Sequence, residues 1–430
     1  MSKHFALLSI ALVLGLLGAC ASDESETMMT ADDGHMMALD DVTNGMSDVD
    51  PTIARMRALE AQVEGIAGKK AWSARFGGGG TITRAWLSGS HLVLEIRGGR
   101  TGQTEIQDID VRTGEARWIT VVGPNALDRA PTDGDGGMAL ITARDNGLTV
   151  VNDVTGGRFF NVRTQLAPVP SSDPVAVGPT FYMGDQLSGK FAAVSAASGN
   201  VGWYFESEGR CVSAPVLTHG MPRQLVVFGT NTGWIYGVPA KAADGVPPDD
   251  AAWAHDLGGS FTAAPNFAMV GDEENRQSLV VFPGKDGWLY GCDAATGRRN
   301  WVLRTNAPFS HRASIIGGRV YARNSERFFC VDGTTGQRAW WPESAEGRSE
   351  YERSQLFEAP EGFELADRAL AANGDRVILL SGANRLMRCN AESGKIESET
   401  TLGGFDFFLT NEVTGALVVG TRDGIFMAYE

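Results

Sequence analysis

One turn returns along most of this 430-residue chain in a fixed register, and it constrains the fold more than any other feature. Three copies read Asp110-Val-Arg-Thr-Gly114-Glu-Ala-Arg-Trp118, Asp293-Ala-Ala-Thr-Gly297-Arg-Arg-Asn-Trp301 and Asp332-Gly-Thr-Thr-Gly336-Gln-Arg-Ala-Trp340. Ser195 through Gly199 to Trp203, and Asn152 through Gly156 to Phe160, are close variants, while Asn390 to Gly394 keeps the turn without the aromatic. The chemistry is local. Asp or Asn opens an Asx-type turn, Thr or Ser supports it, and Gly supplies the positive φ that such turns require. Four residues later a large aromatic enters the next strand, where it can wedge against a neighbouring unit.

Each turn follows a hairpin of alternating apolar residues, in the segments 91–110, 137–152, 178–195, 224–238, 278–293, 318–332, 376–390 and 416–429. Leu225-Val-Val-Phe to Trp234-Ile-Tyr-Gly237 shows the form, and Leu279-Val-Val-Phe to Trp288-Leu-Tyr-Gly291 nearly repeats it. The eighth hairpin has no aromatic strand after it, and the aromatic strand 71–76 has no hairpin before it. Pairing the two completes one unit and closes a ring over 71–430. Units of about 45 residues suit four-stranded propeller blades. The expectation is an all-β, eight-bladed propeller of four-stranded blades, with seven blades as the fallback because 341–375 is long and irregular. Glycine at 54 residues against only 17 prolines agrees with many tight turns, and excludes a helical bundle, a collagen or a coiled coil.

The N-terminus is of another kind. Residues 1–19 carry Lys3, an apolar run and small residues directly before Cys20, the anatomy of a signal peptide. The Leu17-Gly18-Ala19-Cys20 sequence resembles a bacterial lipobox, which makes Cys20 the expected lipidation site and the cell envelope the expected compartment; Ala21 implies the outer membrane, facing the periplasm. Residues 20–51 read as an acidic, Met-rich disordered tether, with nine Asp and Glu and no Lys or Arg. Within it Met28, Met29, His35, Met36 and Met37 offer thioether and imidazole donors of the kind copper(I) takes, although a disordered linker accounts for them more simply. Over 52–70 the recurrence of Ile53, Met56, Leu59, Val63 and Ile66 predicts a short amphipathic helix.

The repeat resembles the tryptophan-docking repeat of quinoprotein-like propellers, named after pyrroloquinoline quinone (PQQ), over nearly all of 72–430. On this reading Trp72, Trp118, Phe160, Trp203, Trp301 and Trp340 dock blades together, with Gly114, Gly156, Gly199, Gly297, Gly336 and Gly394 at the turns. Two families share the fold. The PQQ-dependent dehydrogenases are calcium enzymes with adjacent cysteines in longer chains. The BamB-like lipoproteins of the outer-membrane barrel-assembly machinery are anchored and non-catalytic. Here Cys20, Cys211, Cys292, Cys330 and Cys389 are all isolated. The resemblance therefore implies a non-catalytic envelope scaffold with protein partners in barrel assembly, no cofactor and no catalytic residue. The alternatives are a PQQ- and calcium-dependent oxidoreductase, or an envelope sensor using the Met/His tether.

The remaining chemistry is sparse. A net charge of −15 leaves no basic footprint for nucleic acid. His4, His35, His91, His219, His255 and His311 show no metal-binding spacing. Gly77–Gly80 lacks the Lys-Ser/Thr of a phosphate loop. Cys211, Cys292, Cys330 and Cys389 are even in number, so disulfides are conceivable, but buried strand thiols are the expectation. Trp203-Tyr204 and Trp340-Trp341 read as blade docking rather than as a ligand cage.

Overall fold

The computed structural model describes residues 50–99, 101–123, 132–134, 137–141, 147–151, 154–163, 171–185, 188–195, 198, 200–241, 251–341, 349, 366–382 and 384–430. Cys20, Met28, Met29, His35, Met36, Met37 and Gly199 lie outside these residues, as does the side chain of Phe160. The first element is a helix, α1 (Pro51–Ala67). Asp50 caps it, its carboxylate accepting from the Thr52 N–H at 2.7 Å, and Pro51 sits at the first turn, where its missing N–H costs nothing. The helix thus includes Pro51 and takes Asp50 as its cap, two residues expected in the tether, and it ends at Ala67 rather than at residue 70. Leu59, Val63 and Ile66 form the buried stripe. Among the described residues no helix is long and apolar enough to cross a membrane.

After α1 every described strand pairs antiparallel. Among the described residues the strands pair into seven four-stranded sheets and one of three strands. In chain order, sheet 1 runs between Thr81 and Gly123, sheet 2 between Thr132 and Arg163, sheet 3 between Val175 and Phe205, and sheet 4 between Val216 and Asp256. Sheet 5 runs between Asn266 and Arg304, sheet 6 between Ser314 and Asp332, and sheet 7 between Ala366 and Thr401. Sheet 8 joins the three strands between Phe407 and Tyr429 to Lys70–Arg75, which pairs with Ile425–Tyr429. The first strands of successive sheets touch one another, for example Asn266–Val270 against Ser314–Ile316, so they line the axis of the propeller.

The expected eight four-stranded blades are therefore corrected to seven, the fallback number. Sheet 6 is the incomplete one. Its fourth strand is reduced to a single bridge, Val331 to Arg338, and one bond from the Ala339 N–H to the Cys330 carbonyl. Arg338 turns instead over the rings of Phe329 and Trp341, at 5.4 and 4.5 Å from their centroids.

Candidate functional site

The recurring turn builds the joints between sheets. Asp293 shows how. One carboxylate oxygen accepts from the Thr296 N–H at 2.9 Å and the Thr296 hydroxyl at 2.7 Å, while its carbonyl accepts from the Gly297 N–H at 2.7 Å. Asp332 and Asn390 hold their turns in the same way, and Asp110 accepts from the N–H groups of Arg112 and Thr113. Gly297 and Gly336 sit at φ +68° and +75°, and a Cβ at either would lie 2.4 Å from a tryptophan ring of the preceding sheet. Glycine is required twice over, for the backbone and for the ring laid against it.

Four of the predicted rings reach forward by one sheet. Trp72 lies on Gly114, Trp118 on Gly156, Trp301 on Gly336 and Trp340 on Gly394. Their indoles donate to the carbonyl just after the turn acid: Trp72 to Val111 at 2.8 Å, Trp301 to Gly333 at 2.9 Å and Trp340 to Ala391 at 2.8 Å. Trp203 is buried in sheet 3 against Tyr182. One member of the set has no signature in the sequence. Trp253 lies on Gly297 and donates to Ala294 at 3.1 Å, but the residue four before it is Asp249, not glycine, so its motif is broken. Gly68 stands four residues before Trp72 in the same spacing, but it ends α1 and packs against the Glu430 carbonyl rather than under a ring.

Toward the axis, three sheets converge on one carboxylate. Glu412, in the loop after Phe407–Leu409, accepts from Arg312 at 2.8 Å, from the Asn266 carboxamide at 2.7 Å and from the Ile315 N–H at 3.1 Å. Arg312 also donates to the Asn266 carbonyl oxygen at 2.5 Å, and the Asn266 amide reaches the Ala313 carbonyl at 2.9 Å. The group joins first-strand residues of sheets 5 and 6 to sheet 8. It is the arrangement in this structure most like a polar ligand site. Calcium takes about six to eight oxygen ligands, largely carboxylates and carbonyls. Here the one carboxylate is already neutralised by an arginine and held by two amides, so this donor set does not fit the calcium and PQQ chemistry that the fold allows. Among the described residues no group of three or more His, Cys, Asp or Glu could hold a metal ion.

A second polar cluster lies on sheet 1. His91 Nδ1 sits 3.0 and 3.1 Å from the two oxygens of the fully buried Asp108, and Arg117 bridges His91 and Asp110. Burial pushes the Asp110 carboxyl up, but Arg117 and the N–H groups of Arg112 and Thr113 outweigh it and hold the group below the ordinary aspartate value. Each charge here faces a partner within the sheet, and the cluster ties three strands together.

Cys211, Cys292, Cys330 and Cys389 are free thiols, all buried. Burial pushes each of them up to about 12. Since the thiolate is the reactive form, all four are inert in the native fold. Iodoacetamide at pH 8 is expected to label none of them without denaturant and all four in concentrated guanidinium, read by intact mass. Cys292, Cys330 and Cys389 lie on strands as expected, while Cys211 lies in the connection between sheets 3 and 4, and labelling of any of the four in the native protein would show that the packing around it opens.

Residues 55–228 and 250–430 match the family described as outer membrane protein assembly factor BamB. Among curated proteins, no sequence matches the chain significantly. Among solved structures, BamB from Moraxella catarrhalis superposes with a TM-score of 0.57 at 15% identity, covering 84% of this chain and 97% of that one. Quinohemoprotein alcohol dehydrogenase from Comamonas testosteroni gives 0.56 at 11% identity, covering 86% and 77%. A europium-containing methanol dehydrogenase gives 0.54 at 10% identity, covering 82% and 84%. At such identities these likenesses establish the propeller fold and nothing finer. The family match spans most of the chain with its turns and docking tryptophans, and the protein therefore belongs to the PQQ-repeat propeller family described as outer membrane protein assembly factor BamB.

Proposed function

We propose that the protein is a non-catalytic scaffold of the cell envelope, anchored by lipid at Cys20 to the outer membrane on its periplasmic side, and that it holds protein partners during outer-membrane protein assembly. The observation that carries this reading is the axial cluster. Where a redox propeller would need open donors, Glu412 is closed off by Arg312, Asn266 and the Ile315 N–H. The family match supports the same direction. The acidic charge of −15 argues against nucleic acid as a partner. In-cell crosslinking of the tagged, full-length protein followed by mass spectrometry is expected to recover an outer-membrane barrel insertase. Recovery of the protein alone from a clean envelope preparation would sink the scaffold reading.

A quinoprotein oxidoreductase is the second reading, favoured by the fold likeness to a quinohemoprotein alcohol dehydrogenase and a europium-containing methanol dehydrogenase. It predicts saturable PQQ binding in the presence of calcium, read by tryptophan quenching. A copper(I) titration of the same protein tests the tether residues Met28, Met29, His35, Met36 and Met37 as an envelope sensor.

A further inference from the structure

The run Gly77-Gly-Gly-Gly80 takes no part in the joints between sheets, yet it follows directly on the strand that closes the ring. The residues before it, 51–75, are α1 and the fourth strand of sheet 8, linked by Gly68 and Lys69. The helix lies along its own strand. Glu60 accepts from Lys70 at 2.9 Å and from the Ser73 hydroxyl at 2.6 Å, and Arg75 donates to the Thr52 hydroxyl at 3.1 Å. The rest of the propeller holds this segment by packing and pairing. Leu59, Val63 and Ile66 sit with Leu380 and Leu417 of sheets 7 and 8, Trp72 lies on Gly114 of sheet 1, and the strand pairs with Ile425–Tyr429. The joint beneath α1 is also the one whose docking position carries no aromatic residue, since Ser398 stands four residues after Gly394. The next sheet gives the reason. The third and fourth strands of sheet 8 come from opposite ends of the sequence, so no turn joins them and no turn glycine offers a seat for a ring. The apolar stripe of α1 covers the joint instead.

We infer that residues 51–75 form a detachable strap, hinged at Gly77–Gly79, which closes the ring and leaves it as one unit. Gly77, Gly78 and Gly79 stand at φ +86°, +53° and +91°, angles that glycine enters and leaves with no Cβ to oppose it. Gly80 bounds the hinge. A Cβ there would lie 2.6 Å from the Ile96 side chain and 2.8 Å from the Gly99 nitrogen, so Gly80 belongs to the fixed body of sheet 1. Helix and strand move together because Glu60 and Arg75 tie them to each other. Departure of the strap bares the outer edge of Ile425–Tyr429 and the apolar seat of α1 at once. A strand edge of this kind is one that proteins otherwise guard with charge, bulges or short length. The device follows from the fold and holds whichever partners the scaffold takes.

The test is residue-resolved hydrogen exchange on the full chain in urea below its unfolding transition. Amides of 51–67 and Lys70–Arg75 are expected to share one opening with one urea slope, before sheets 3 to 5 open. A detached helix of 17 residues is marginal in water, so its amides exchange whenever the strap is off. The partner strand gives a sharper mark. The Phe76 N–H donates to the Gly424 carbonyl and the Thr421 N–H to the Ile425 carbonyl, so N–H groups along 425–430 alternate between two neighbours. Those of Phe426, Ala428 and Glu430 face the strap and should exchange with it, while those of Met427 and Tyr429 stay protected. Ile66→Ala, at a residue 2% exposed, should speed the strap amides, strand included, about a hundredfold. Ser73→Ala, the milder variant should the first misfold, should speed the helix amides about tenfold from the strand side. A helix that loosens while Lys70–Arg75 does not, equal protection of Ala428 and Met427, or an opening shared with sheets 3 to 5 would overturn the strap.

Discussion

Trp301→Ala is expected to lower the stability of the propeller by about 3–5 kcal/mol, the range for emptying an aromatic site in a packed core. The indole is 7% exposed and sits in one apolar cluster with Val281, Phe309, Ile315 and Val331, contributed by sheets 5 and 6 and the loop between them. Three contacts go at once. The Gly333 carbonyl loses the indole N–H that reaches it at 2.9 Å, Gly336 loses the ring against it, and Gly291 loses the ring opposite it. The void cannot close easily, because both flanking glycines belong to hydrogen-bonded backbone whose positions are fixed. The measurement is a urea titration with the slope held common to wild type and variant, so that the midpoint reports stability. Ile119→Ala is the control, since Ile119 is 51% exposed and should change stability by no more than about 0.5 kcal/mol. If Trp301→Ala is no worse than this control, the joints between sheets are not what holds the ring together.

The same joints explain what could be read from the sequence. Short-range chemistry is legible: an acid, a hydroxyl, a glycine and an aromatic at fixed spacing specify a turn and the strand after it, whatever surrounds them. The positions of Trp118, Trp301 and Trp340 therefore follow from spacing, and that of Trp72 from the aromatic strand 71–76 left without a hairpin. Trp253 was lost because Asp249 stands in the glycine position, so a tertiary role persisted after its local signature had decayed. The missing strand of sheet 6 was hidden for a related reason. Asp332 to Trp340 is a complete motif, yet the strand it should start pairs only through the single bridge of Arg338 with Val331 and the Ala339 N–H. The Asn266–Arg312–Glu412 group had no signature at all. Its members come from three sheets and lie far apart in the chain, and only closure of the ring brings them within hydrogen-bond distance.

Helix α1 carries the other large effect, and Val63→Asp is expected to undock it. Val63 has no exposed surface and packs with Leu59 and Ile66 into a cluster that includes Leu370, Ile378, Leu402, Phe405 and Leu417 of sheets 7 and 8 and the loop between them. Burying three aliphatic side chains is worth roughly 1.5–3 kcal/mol each, from which the ordering of the helix must be subtracted. An unpaired carboxylate at Val63 costs several kcal/mol if it stays buried, more than the surplus that keeps the helix docked. The cheaper outcome is for α1 to leave the surface with its charge in water. Its polar contacts would go too, since Glu60, which accepts from Lys70 at 2.9 Å and from Ser73 at 2.6 Å, ties the helix to the first strand of the chain. Hydrogen exchange should then show residues 51–67 unprotected and residues 402–409 loosened, while sheets 3 to 5 exchange as in the wild type. The exposed Arg57→Ala should leave all of these unchanged. Full protection over 51–67 in Val63→Asp would mean that the helix is held by something other than its apolar stripe. Uniform loss of protection would mean that the joint between sheets 7 and 8, which lacks the tryptophan of its sisters, depends on α1 for the closure of the whole ring.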